Sequence, residues 1–173
     1  MRLAGKKTEE TISAEIPDWN REQPQQFWDP GRKLLQAIRA YQYWHNRKGL
    51  MPACFRKWHT LRHRVWSVIT GADIPLACKI GGGLLIPHPN GIVIHSGAEI
   101  GVNCLIFQQV TIGTRDGKYG FPKIAGHVDI GAGAKVLGPV LIGAHAKIGA
   151  NAVVISDVKS GDTVTGIPAK SKG

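Results

Sequence analysis

The sequence has little cysteine, few acids, few aromatic residues beyond its first third and no long apolar run, and each shortage excludes something. Cys54, Cys78 and Cys104 are an odd, scattered set without the spacing of a disulfide framework or a metal site, so they suit reduced thiols in a cytoplasm. No stretch reaches the roughly 20 apolar residues that cross a bilayer, so no transmembrane segment is expected. The start, Met1 to Lys7, runs into polar sequence rather than an apolar core, so no secretory signal is expected and a cytoplasmic location is. Twelve acids face 22 Lys and Arg, a formal net charge of +10. Residues 1–72 hold thirteen of those cations against six acids, and residues 73–173 hold nine against six. Such an excess favours an anionic partner: nucleic acid, an acidic membrane surface or a polyphosphate cofactor. No nucleic-acid-binding module or aromatic-basic motif is present, so nucleic acid is not expected as a partner. The basic stretch Arg56 to Arg64 fits either an acidic membrane surface or the solvated face of a helix.

What the sequence does have is a six-residue rhythm from Ile74 to Val154. One run is Ile74, Ile80, Ile86, Ile92; a second is Ile94, Ile100, Ile106, Ile112; a third is Ile124, Ile130, Val136, Ile142, Ile148, Val154. Neither a helix period of 3.6 nor a strand period of 2 produces it. A fixed short repeat is the signature of a solenoid, whose units bury their apolar residues only by stacking on neighbours. Hexads predict a parallel β-helix in which three short strands make one triangular turn of about 18 residues. Gly often follows the aliphatic residue, as in Ile112-Gly113 and Ile130-Gly131, where a side chain would crowd a corner.

The rhythm is interrupted twice. Ile92 to Ile94 slips the register by two residues, which predicts a small bulge after the first turn. Between Ile112 and Ile124 the phase survives, but Thr114 to Pro122 is polar and rich in Gly, which predicts a loop extruded from the solenoid.

The first seventy residues lack the hexads and read as two or three helices. Asp29 and Pro30 suit a helix start, followed by Leu34, Leu35, Ile38, Tyr41 and Trp44 at helical spacing. After Gly49 and Pro52, a second stripe runs through Phe55, Trp58, Leu61, Val65 and Ile69, and the aromatics are read as packing residues. The expected organisation is a helical domain over 1–70, a β-helix domain over 71–169 and a tail at 170–173. Residues 1–25 are expected to be a poorly ordered or separately packed lead-in.

Function must be argued from a site rather than from the solenoid. The candidate is Ile86-Pro87-His88-Pro89-Asn90-Gly91, just before the register slip. Imidazole titrates near neutrality, which makes His88 a candidate general base. Asp73 lies fifteen residues earlier, nearly one turn back, where a carboxylate can fix the tautomer of the ring and stabilise its charged form.

These residues carry a resemblance. Gly71-Ala72-Asp73-Ile74-Pro75 through Ile80-Gly81, then His88 and Gly91-Ile92-Val93-Ile94, resemble the serine acetyltransferase family. So do Gln108-Gln109-Val110-Thr111-Ile112-Gly113, Pro122-Lys123-Ile124, Gly131 to Gly138 and Gly166-Ile167-Pro168-Ala169. Asp29-Pro30-Gly31 to Gly49 looks like that family's shortened N-terminal domain, so the resemblance covers about residues 29–169. It implies a left-handed β-helix, a homotrimer with active sites between subunits, and acetyl-CoA as co-substrate with no metal. His88 would be the general base on a small-molecule hydroxyl acceptor, L-serine by resemblance, and Asp73 would orient it. Gly113, Thr114, Ala132, Lys147 and Ala150 match positions lining the family's CoA groove.

Departures from the family pattern fall on the acceptor side. Asp usually precedes the catalytic His, where Pro87 stands here. An Arg-His pair usually precedes Pro-Lys-Ile, where Gly120 and Phe121 stand here, and Asp29 is one possible acidic contact. These positions suggest an alternative acceptor, a sugar hydroxyl in surface-polysaccharide assembly. A zinc-dependent γ-type carbonic anhydrase shares the architecture, but His88 and His95 are seven apart, and His127 and His145 are eighteen apart and should stack at an exposed corner. A non-catalytic solenoid is the third reading, under which replacing His88 changes nothing. His45, His59 and His63 read as surface or helix-packing residues.

Overall fold

The structure, a computed structural model, describes residues 12–171. Past residue 72 the backbone forms three parallel sheets, visited in strict rotation. The first face holds Val93–Ile94, Thr111–Gly113, Lys135–Leu137 and Val153–Val154; the second holds Lys79–Ile80, Glu99–Ile100, Lys123–Ile124 and Leu141–Ile142. The third holds Leu105–Ile106, Asp129–Ile130, Lys147–Ile148 and Thr163–Thr165, closed by an antiparallel pairing of Lys170–Ser171. Residues 170–171, expected as a tail, therefore form a strand. The described residues are mainly β, with two α-helices, α1 (Pro30–His45) and α2 (Leu50–Thr70).

The hexad aliphatics fill the interior. Ile94, Ile112, Val136 and Val154 stack in register on the first face, as do Ile106, Ile130, Ile148 and Val164 on the third. All are buried. Burying such a side chain is worth about 1.5–3 kcal/mol, and each unit obtains it only with a neighbour above or below.

The interruptions lie where side chains leave this pattern. Val93 pairs with Thr111 eighteen residues on, but Asp73 pairs with Val93 at a distance of twenty. The bulge was expected after Ile92; the two additional residues lie before it, in the corner Pro87–Gly91. Ile92 occupies the position of Val110, since their carbonyls accept from Asp73 N–H (2.8 Å) and Val93 N–H (2.9 Å) in successive turns. Thr111 pairs with Lys135 twenty-four residues on, and the six extra residues form the expected loop. Arg115 Nη1 pins that loop to the carbonyl of Ile155 (3.3 Å).

The helical segment covers the open start of the coil. Asp29 caps α1, Pro30 takes its first turn, and Gly31 lies so close to the Ile86 carbonyl that a Cβ there would sit at 2.6 Å. Leu34, Leu35 and Ile38 join the coil's core. Arg39 binds Glu22 (2.8 Å) and the carbonyls of Ile80 (2.6 Å) and Gly81 (2.7 Å), while Gln42 reaches those of Leu76 and Cys78. These bonds satisfy edge groups that have no preceding turn to pair with. Residues 12–25, the described part of the segment expected to be poorly ordered or separately packed, lie against the coil. Asn103 Nδ2 donates to the carbonyls of Ser13 and Ile16 (2.7 Å each), and Trp19–Glu22 form a 3-10 turn.

The second helical stripe departs from expectation. Phe55, Trp58, Leu61, Val65 and Ile69 are all exposed, while α2 turns His59 and Thr70 inward and His63 bonds the Ile74 carbonyl (2.8 Å). Helical periodicity identified the element, but the apolar side does not face this protein's core.

Candidate functional site

Asp73 follows the end of α2, which Gly71 closes in the left-handed conformation (φ +65°). Its N–H donates to Ile92 O and its carbonyl accepts from Ile94 N–H (2.9 Å), fixing it as the first rung of the first face. Asp73 lines a 380 Å³ groove with Val93, His95, Thr111, Gly113 and Thr114. Three predicted residues, Asp73, Gly113 and Thr114, are thus brought together.

His88 stands exposed at the widened corner between the third and first faces, with its ring 6.5 Å from that of Phe107. Among the described residues no hydrogen bond joins it to Asp73. The flanking Pro87 lines a separate 260 Å³ depression with Trp28, Asp29 and Arg32, so two predicted acceptor residues, Pro87 and Asp29, do meet. Asp29 is already engaged. Burial alone would raise its carboxyl, but hydrogen bonds from Gln25 N–H (3.2 Å) and Arg32 Nη1 (2.9 Å) hold it below the usual carboxylate range.

The remaining CoA-groove positions fall elsewhere. Ala132 and Ala150 are neighbours at the corner preceding the first face, where the Ala132 carbonyl accepts from Asn151 N–H (2.8 Å) and a Cβ on Gly131 would meet Ala150 N at 2.6 Å. Lys147 lies on the third face, in register with Asp129. None of the three lines the Asp73 groove. The larger open groove, about 1010 Å³, runs along the second face past Lys79, Glu99 and Lys123 and contains no predicted site residue.

Two side chains had not been singled out for the site. His95 takes the slot after Ile94 where Gly follows Ile112 and Ile130, and that broken rhythm was the available signal. It lines the Asp73 groove and stacks on Phe121 (ring centroids 4.5 Å, interplanar angle 21°). Phe121 adjoins the groove only through this stack, while Gly120, at φ +121°, abuts Pro139. Gln108 is the other: its Oε1 is buried without a hydrogen-bond partner among the described residues, one coil turn beyond the His88 corner. An orphaned acceptor invites a donor from a ligand.

His127 and His145 do stack at a corner, both at positive φ, with Nδ1 atoms 2.7 Å apart. Among the described residues, no group of three or more His, Cys, Asp or Glu side chains is placed to hold a metal ion.

A hexapeptide-repeat parallel solenoid with a helical start and an ionisable groove on one face defines the class. No protein-family model matches the chain. It is 40% identical over 132 residues to a serine acetyltransferase of Helicobacter pylori strain J99, covering 68% of this chain and 77% of that protein. It is 44% identical over 105 residues to a serine acetyltransferase of Synechococcus elongatus, of which it spans 43%. Among solved structures, a soybean serine acetyltransferase complexed with serine matches at TM-score 0.69 and 37% identity, over 83% of this chain and 57% of that one. A serine acetyltransferase complexed with CoA matches at TM-score 0.70 and 34% identity, over 84% and 57%. The chain belongs to the serine acetyltransferase family.

Proposed function

We propose that the protein is an acetyl-CoA-dependent O-acetyltransferase built on a left-handed β-helix, working as a cytoplasmic homotrimer with active sites between subunits. The observation that carries this reading is the first-face groove, where Asp73, Gly113 and Thr114 converge in a chain of this family. The matched CoA positions occupy two different edges, Gly113 and Thr114 at one and Ala132 and Ala150 at the other. Two copies, each offering one edge, would bring them onto one pantetheine arm, whose close approach the small residues permit. Lys147, exposed on the third face, would meet the cofactor's phosphates.

In this reading His88 takes the proton of the acceptor hydroxyl as its oxygen attacks the thioester carbonyl. The carbon–sulfur bond breaks, and the imidazolium returns that proton to the departing thiolate. Asp73 positions the ring and stabilises its positive charge. Catalytic hydrogen bonds tighten in the substrate complex, so their absence beforehand does not weigh against the pair.

The family resemblance makes L-serine the first acceptor to test, yielding O-acetylserine. A specific observation favours a second reading, a sugar hydroxyl. Phe121 places an aromatic ring against His95 of the groove where a charged pair would suit an amino acid, and the Asp29 carboxylate is held by Arg32 and Gln25. Incubation with acetyl-CoA and a panel of serine, nucleotide sugars and oligosaccharides, read as released thiol, separates the two. Serine turnover at ordinary enzymatic efficiency sinks the sugar reading; turnover confined to saccharides sinks serine. No thiol release with any acceptor would count against the enzyme itself.

A further inference from the structure

Helix α2 presents its apolar side outward along its whole length. Met51, Trp58, Leu61, Val65 and Val68 are 48–84% exposed. At 100° per residue they share one arc of about 100°, running roughly 25 Å along the helix. The opposite side, with buried His59 and Thr70, is the one that packs. An apolar surface of this extent on a polar-rimmed helix marks an interaction site.

Its border is basic. Lys57 and Arg64 lie along one edge of the arc and Arg62 near the other, and α2 contains no acid. A second observation lies against the same edge. A 400 Å³ cavity between α1 and α2 is lined by Tyr41, Arg56, Lys57, Thr60 and Arg64, with Leu61 at its margin and no acidic residue in its wall. Arg56 Nη1 already donates to the Arg47 carbonyl (3.1 Å) and Thr60 Oγ1 to the Arg56 carbonyl (2.9 Å), which leaves Lys57, Arg64 and Tyr41 to meet an anion beside the apolar strip.

The geometry points to a docking surface for an anionic phospholipid bilayer. The apolar arc of α2 lies at the boundary of headgroups and acyl chains, and the basic cavity receives a headgroup phosphate. An in-plane amphipathic helix needs this arrangement of Trp and aliphatic residues on one side with Lys and Arg flanking them. Charge argues against a second copy as the occupant. Packing two α2 helices along this arc would set the three bordering cations of one helix against the same three of the other, with no acid on either helix to pair them. Docking is peripheral, since no helix among the described residues is long and apolar enough to cross a membrane. It is independent of which hydroxyl the enzyme acetylates.

The test sediments the full-length protein with vesicles of phosphatidylcholine alone or mixed with phosphatidylglycerol. The expected result is binding to the mixed vesicles at low salt, release at high salt, little binding to phosphatidylcholine and no displacement by millimolar inorganic phosphate. Each cation near an anionic surface is worth about fivefold in partitioning, so Lys57→Ala with Arg64→Ala should lose roughly 25-fold. Leu61→Glu with Val65→Glu should abolish binding while leaving the circular dichroism spectrum and thiol release unchanged, because both positions are exposed and remote from the groove. Equal partitioning of wild type and both variants, or equal binding to neutral and anionic vesicles, would overturn the proposal. So would a fall in molar mass by light scattering for Leu61→Glu with Val65→Glu while vesicle binding persists, which would make a second copy the occupant. Displacement by inorganic phosphate would reduce the cavity to a free-anion site and remove the membrane from the account.

Discussion

Replacing Ile130 by Ala measures how far the coil and the helical segment share one core. Ile130 is fully buried in the column Ile106, Ile130, Ile148, Val164. Truncation removes three carbons, about 2.4 kcal/mol at roughly 0.8 kcal/mol each. The site has little freedom to collapse, because its carbonyl accepts from Phe107 N–H (3.0 Å) and the next N–H, of Gly131, donates to Ile148 O (2.8 Å). A residual cavity therefore carries the expected loss to about 3–4 kcal/mol, within the usual range for such truncations. With a urea m-value of about 1–3 kcal/mol/M, the midpoint should fall by about 1–4 M at fixed protein concentration. All five Trp residues lie between positions 19 and 66, so fluorescence follows the helical segment, while far-ultraviolet circular dichroism also follows the coil. Leu34, Leu35 and Ile38 belong to the coil's core, so both probes should shift together. A loss below about 1 kcal/mol, or an unmoved fluorescence transition beside a shifted circular dichroism transition, would refute this reasoning.

Two further outcomes follow from titratable groups. Burial, with a smaller contribution from Asp73, pushes the Cys78 thiol up to about 11, and burial does the same to Cys104. A thiol reagent at pH 8 should modify only the exposed Cys54 rapidly in the native protein and all three cysteines after unfolding; rapid native modification of a second thiol would contradict the packing. Burial lowers the His127 pKa from its usual value near 6.5, against an opposing influence from Asp129 and with some help from His145. The unfolded chain then binds that proton more readily, so this stability is present above about pH 6.5 and lost as pH falls below it. The Nδ1–Nδ1 bond to His145 also needs one neutral ring. Thermal melts from pH 7.5 to 5 should show a smaller loss for His127→Asn, which tolerates the positive φ, than for wild type; equal losses would remove His127 as a cause.

The coil was legible in the sequence because each inward position demands an aliphatic residue at fixed spacing, and Ile80, Ile100, Ile124 and Ile142 do stack as that spacing implies. The register slip was legible too, but not its position. Ile92 and Ile94 are both buried, so hydropathy alone cannot tell the inward residue from the corner residue. The face of α2 was illegible for a related reason, since periodicity reports that one side is apolar but not what it meets. At the site, local motifs identified Asp73, Gly113 and Thr114, which share a groove. His95 joins them through the third dimension, and its only trace in the sequence was a His at a slot that holds Gly after Ile100, Ile112 and Ile130. The separation of Ala132 and Ala150 from Gly113 and Thr114 follows from face geometry, which a linear list of matched positions does not carry.

The most direct test of the central claim is thiol release from acetyl-CoA, with the accepted hydroxyl substrate, by wild type and by His88→Ala. A general base contributes roughly 10²–10⁴-fold, so kcat should fall by that factor. CoA affinity and the circular dichroism spectrum should be unchanged, since His88 lies outside the groove that Gly113 and Thr114 line. Transfer at the wild-type rate by His88→Ala would contradict the account.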